Sequence, residues 1–255
     1  MKIQLGRHVY GLAAILYGIV FLYWRGSPIL WQEFQPFANV PHPGILAWIV
    51  GAILLFGGFA LEWSKSARAG AVASGVIFLL FALLWIPRIV ARPGVYNFYG
   101  NFFEQFSQFS GPLVVFAALG AGDSKRSAMA ARLGYIFFGI CVVSFTLAQI
   151  FYLSLTASLV PKWIPPGQMF WAVATTIAFA LAAIALLSGR VALLASRLLT
   201  AMLLGFLLLV WFPALLAGPH RLTNWTESIE TLAIAGVAWI VADFLSQVRP
   251  ASTAP

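Results

Sequence analysis

Charge is scarce in this chain. Only 9% of its 255 residues are charged and seven are acidic, while 62% are apolar. Soluble domains carry roughly 25% charged and 45–50% apolar residues, so an ordinary globular protein is excluded. Cysteine is nearly missing too: Cys141 alone rules out an internal disulfide and a CxxC redox pair. It lies within an apolar run, where a cysteine acts as a small packing residue. The three histidines, His8, His42 and His220, are scattered, and no two fall within the apolar runs as axial haem ligands would. Zinc-protease spacings, a glycine-rich phosphate loop before a lysine and a G-x-S-x-G elbow are all lacking. The sequence therefore predicts no metal site and no catalytic centre of its own.

What the chain does have is length in apolar runs. They span 9–24, 44–61, 69–86, 98–119, 133–153, 169–187, 191–212 and 229–245. A helix crosses the hydrocarbon core with about 20 residues, so each run is long enough to cross. The expectation is an all-α polytopic membrane protein with eight transmembrane helices. The fourth run is the most polar, with Glu104, Gln105, Ser107, Gln108 and Ser110 in its first half. Such residues belong against other helices or a wet cavity, because facing lipid is costly.

The net charge of +8 reads as membrane orientation rather than nucleic-acid binding. Eight crossings put both termini on one side, with ten of the 15 basic residues. That split predicts cytoplasmic termini in a bacterial-type inner membrane. Eight of the ten tryptophans fall on or near the opposite side, as do the two long loops 25–43 and 154–167. Both loops are rich in proline and aromatics and read as ordered caps over helix ends.

The chain also aligns with itself. Arg7 and Tyr10 match Arg132 and Tyr135, and Pro43-Gly44 through Trp48 matches Pro166-Gly167 through Trp171. Trp85-Ile86-Pro87 matches Trp211-Phe212-Pro213, and Asn101-x-x-Glu104 matches Asn224-x-x-Glu227. This predicts two four-helix repeats, 1–122 and 123–255, joined through 120–132. An even number of crossings per unit gives parallel repeats, with a cleft between them as the default ligand site. Small residues such as Gly51, Gly57-Gly58, Gly70, Ser74 and Gly75 are expected to let the helices pack closely.

The segment Leu155-Thr156-Ala157-Ser158-Leu159-Val160-Pro161-Lys162-Trp163-Ile164-Pro165, the downstream Trp171, and the paired W-x-P and N-x-x-E elements resemble the DoxX-like integral membrane proteins. The chain looks like a fused tandem version of that family's four-helix unit. The family is similar to the membrane subunit of thiosulfate:quinone oxidoreductase. The resemblance thus implies a quinone as ligand and a soluble or membrane oxidoreductase as partner. The family's third helix often carries a histidine before its Pro-Arg. Here Trp85-Ile86-Pro87-Arg88 lacks the histidine, and the second copy reads Trp211-Phe212-Pro213-Ala214.

The candidate ligand-binding residues are Trp85, Arg88, Arg92, Glu104, Trp211 and Glu227. Arginine offers a fork of donors to an anionic or quinone head, or snorkels to the interface. Glu104 and Glu227 are either functional carboxylates or N3 partners of capping asparagines, and the capping spacing favours the second reading. Pro87 and Pro213 should end or kink their helices. Asp243 is expected to form an ion pair with Arg7 or Arg132 near the inner helix ends. A ligand is expected beside Trp85, Pro87, Arg88, Arg92 and Glu104, with the first repeat carrying more of the site. The leading function is a ligand-binding or quinone-side subunit of a redox system in the lipid membrane, without nucleic acid. The alternatives are a small-molecule transporter or channel using the inter-repeat cleft, and a pure assembly subunit; homo-oligomers fit any of them.

Overall fold

A computed structural model describes residues 5–25, 42–120 and 125–248. The described residues are all-helical, with no strand among them. The 122/123 repeat junction, Lys2, Arg249 and most of the 25–43 loop lie outside them. The order is α1 (Leu5–Tyr23), α2 (Pro43–Glu62), α3 (Ala67–Leu84), α4 (Ile86–Ala91), α5 (Tyr96–Ala118) and α6 (Lys125–Phe151). It continues with α7 (Leu153–Leu159), α8 (Gln168–Ser188), α9 (Ala192–Phe206), a π-helical turn (Leu207–Trp211), α10 (Phe212–Ala217) and α11 (Leu222–Val248).

A helix stands at each of the eight apolar runs. Among the described residues, seven helices are long and apolar enough to cross a membrane, α3 and α4 counting as one and α9 to α10 as another. The eighth, α5, has 23 residues, about 35 Å of helix. Its sequence is too polar to qualify, yet Gln105, Ser107, Gln108 and Ser110 are all buried. Their burial against neighbouring helices is what the cost of exposing them to lipid requires.

Two boundaries differ from expectation. Helix α6 begins at Lys125, so most of the expected 120–132 linker is helix. The run Ser127-Ala128-Met129-Ala130-Ala131-Arg132 is rich in strong helix formers, and propensity extends the helix past its apolar part. Likewise α11 starts at Leu222, seven residues before the apolar run at 229.

The long helices follow one another round a closed ring. Contacts run α1–α2, α2–α3, α3–α5, α5–α6, α6–α8, α8–α9, α9–α11 and back from α11 to α1. Helices α5 and α11 also touch across the ring, which makes them its central pair. Small residues let α1 sit tightly against its neighbours. A Cβ on Gly58 would lie 2.7 Å from the Gly11 carbonyl, and one on Gly236 would lie 2.7 Å from the Tyr10 nitrogen. Within the first half the core is aromatic: Tyr17 packs on Phe78 with ring centroids 5.4 Å apart, and Phe21 stacks on Phe81 at 5.8 Å.

The expected ion pair of Asp243 with Arg7 or Arg132 is not what the helix ends form. Asp243 Oδ2 accepts the Gly6 backbone N–H at 3.1 Å, in the first turn of α1, where a carboxylate meets the positive end of the helix dipole. The side-chain contact at that end joins His8 Nδ1 to Glu62 Oε2 at 2.5 Å, between α1 and α2. Buried Arg7 instead turns Nη2 toward His8 Nε2 at 3.4 Å.

Candidate functional site

The two W-x-P elements break their helices as expected. Proline has no N–H to continue the ladder and its ring crowds the preceding turn. In the first half, α3 ends at Leu84 and α4 starts afresh with Pro87 in its first turn. In the second half the backbone widens into the π turn Leu207–Trp211, and α10 then starts with Pro213 in its first turn. The two short helices end alike, at Arg92 (φ −142°, ψ 72°) and at Gly218 (φ −144°, ψ 66°). Helices α5 and α11 then begin four residues on, at Tyr96 and Leu222.

The capping reading of Asn101 and Asn224 fails on these helix starts. The chain becomes helical soon after Pro93-Gly94 and Pro219, so both asparagines lie inside their helices. Asn101 donates Nδ2–H to the Asn97 carbonyl at 2.7 Å, one turn back. Asn224 donates to the carbonyls of Ala214 (2.8 Å) and Gly218 (3.0 Å), clamping α10 to α11. The N-cap of α5 is Val95, with no side-chain cap bond. Glu104 and Glu227 are therefore released from the capping role.

Both of them face a cavity of about 300 Å³. Its walls come from α6 to α9, the π turn and α11, all in the second half, with Glu104 of α5 reaching in from the first. Glu230 joins them, which the sequence reading did not single out. The signal was present: counted from the helix starts, Tyr96 to Glu104 equals Leu222 to Glu230. Glu104 and Glu230 thus sit at the same depth, about 12 Å into their helices at 1.5 Å per residue. Buried Gln108 donates Nε2–H to Glu230 Oε1 at 3.2 Å across the α5–α11 contact.

Aromatic rings and amides complete the walls. Trp211, a predicted site residue, lines the cavity beside Trp171, Phe179 and Phe206. Trp171 is anchored by its Nε1–H to the Pro165 carbonyl at 2.9 Å. The 154–167 segment is indeed ordered over this end: it contains α7, and Gln168 Nε2 donates to the Val160 carbonyl at 2.6 Å. Gln149 Oε1 lies 2.9 Å from the Thr176 hydroxyl and 3.3 Å from that of Thr175, each of which also donates to a carbonyl one turn back in α8. Gly205 also lines the cavity, and a Cβ built there meets nothing within 4 Å.

The other predicted residues gather elsewhere. Trp85 is buried and stacks on Phe98 with centroids 6.3 Å apart, and the Arg88 guanidinium lies 5.8 Å over the same ring. Arg92 is exposed at the end of α4. Glu104, Trp211 and Glu227 thus line one cavity, and Trp85, Arg88 and Arg92 are not among its lining residues. Among the described residues no three His, Cys, Asp or Glu side chains converge to hold a metal ion. Compared with known proteins, the chain matches no family model, no curated protein and no solved structure.

Proposed function

We propose that this chain is a DoxX-like membrane protein that crosses the bilayer eight times and binds a small, mostly apolar molecule in the cavity of its second half. One observation carries the reading: a cavity of about 300 Å³ with aromatic walls receives three carboxylates well inside the helices. Ionisable groups at such depth are expensive in a membrane and are retained for a ligand or ion. Apolar walls with a few placed polar groups are the make-up of small-molecule sites.

The tandem-repeat reading also fits the helix contacts. The contacts α1–α2, α2–α3, α3–α5 and α5–α6 have counterparts in α6–α8, α8–α9, α9–α11 and α11–α1. Equal depth of Glu104 and Glu230 fits two parallel units, 1–122 and 123–255, with α5 as the eighth crossing. The excess of basic residues on the terminus side supports cytoplasmic termini, with the cavity toward the outer surface.

Native mass spectrometry after gentle detergent extraction tests the binding site. The wild-type chain is expected to carry a small-molecule adduct that Gly205→Leu, which fills the cavity, loses. Identical spectra for the two proteins refute binding at this site.

A further inference from the structure

The same cavity also speaks to the chemistry of its occupant. We propose that it takes an organic cation: a quaternary or protonated amine on an apolar body. This rests on the binding role just proposed and adds the charge of the ligand head.

Three features point the same way. Glu104, Glu227 and Glu230 face the cavity, whereas among the described residues no lysine, arginine or histidine contributes to its wall. An anionic ligand would meet only like charge there. Next, the flat rings of Trp171 and Trp211 share the space with those carboxylates. Indole faces attract cations through their quadrupole, most strongly where water is excluded, and aromatic cages of this kind recognise quaternary ammonium groups. Finally, Gln108 donates a hydrogen bond to Glu230. That bond holds the Glu230 carboxyl group in one place on the wall, so less ordering is lost when a cation binds. A metal ion is the poorer fit, because the carboxylates do not converge at ligating geometry.

The cavity volume bounds the size of the head. About 300 Å³ admits a compact group such as trimethylammonium with one ring attached, but not a large polycyclic dye. The open space over Gly205 gives the ring a place to lie. Binding needs no covalent step: the cation exchanges its hydration for aromatic faces and carboxylate oxygens.

Benzyltrimethylammonium and its uncharged carbon isostere neopentylbenzene separate charge from shape. Tritiated benzyltrimethylammonium is titrated against the purified full-length chain in detergent, with neopentylbenzene as competitor. Saturable binding that the neutral isostere leaves untouched is expected. Glu104→Gln and Glu230→Gln should each weaken it by about tenfold or more, and Trp211→Leu by several-fold. Gly205→Leu should abolish it, and Arg190→Ala, on an exposed turn, should leave it unchanged. Melting curves of every variant report folding. Because Gln108 holds Glu230, Glu104→Gln is the decisive variant if Glu230→Gln is unstable. Equal competition by neopentylbenzene, or full binding in Glu104→Gln, overturns the cationic head while leaving the cavity a binding site. Absence of benzyltrimethylammonium binding also overturns the cation, and the adduct lost in Gly205→Leu still reports on the cavity itself. If neither probe nor adduct is found, both readings fall together.

Discussion

Adding one methyl group to a helix should have opposite effects at two glycines of this protein. At Gly58, in the last third of α2, the new Cβ would stand 2.7 Å from the Gly11 carbonyl oxygen, 2.7 Å from the Ile15 nitrogen and 2.7 Å from Ile15 Cγ1. Ordinary van der Waals contact begins near 3.4 Å. Two of these atoms are backbone, so no rotamer change relieves them, and α1 and α2 must part by several tenths of an ångström. Overpacking of this kind costs about 1–3 kcal/mol. Against it stands the gain of about 0.5–1 kcal/mol when alanine replaces glycine inside a helix. Gly58→Ala should therefore be destabilised by about 1–2 kcal/mol. At Gly205 the same methyl meets nothing within 4 Å, so only the helical gain remains and the variant should be at least as stable as wild type. The assay is unfolding in mixed micelles followed by circular dichroism, with the unfolding rate read wherever refolding is incomplete. If Gly58→Ala matches Gly205→Ala, the α1–α2 approach is not backbone-limited and the reasoning is wrong.

Three further outcomes are expected. Phe78→Ala should destabilise the protein by about 3–5 kcal/mol in the same unfolding assay, because its ring is almost fully buried against Tyr17 and Phe81. A cost below 1 kcal/mol would mean that the first core is not packed as described. Asn224→Ala should cost about 1–3 kcal/mol by removing the two side-chain bonds that tie α10 to α11, although both carbonyls keep their backbone donors, whereas Asn101→Ala loses only a local turn-to-turn bond. Equal melting of these two variants would contradict the clamp. For topology, Lys162→Cys should react with an impermeant maleimide on intact cells, in a Cys141→Ser background, and Arg190→Cys only after the cytoplasmic face is opened. The reverse pattern inverts the orientation.

Much of the architecture is legible in the chain because it follows from local quantities. Helices occur at all eight apolar runs, since run length and composition act residue by residue. The breaks at Trp85-Ile86-Pro87 and Trp211-Phe212-Pro213 follow from a missing donor at a known position. The polar stretch of α5 is buried, as the cost of placing it in lipid demands. Helix starts are less local. Asn101-x-x-Glu104 has the spacing of a cap, but the turn at Pro93-Gly94 begins the helix earlier and overrides it.

The meeting of side chains was decided by the tertiary structure. Arg88 and Glu104 are 16 residues apart in sequence, yet Arg88 lies over Phe98 while Glu104 lines the same cavity as Glu227 and Glu230 from the other half. Asp243 finds a backbone N–H of α1 rather than an arginine because helix ends offer donors that no charge pattern displays. The cavity itself is made by residues far apart in the chain: Phe145, Phe179, Phe206 and Trp211 wall it, and Glu104 joins them from the first half. Run lengths and helix breaks depend on neighbours along the chain, so the sequence alone determined them. Whether a space between helices is filled depends on residues a hundred positions apart, and only their packing together decided it.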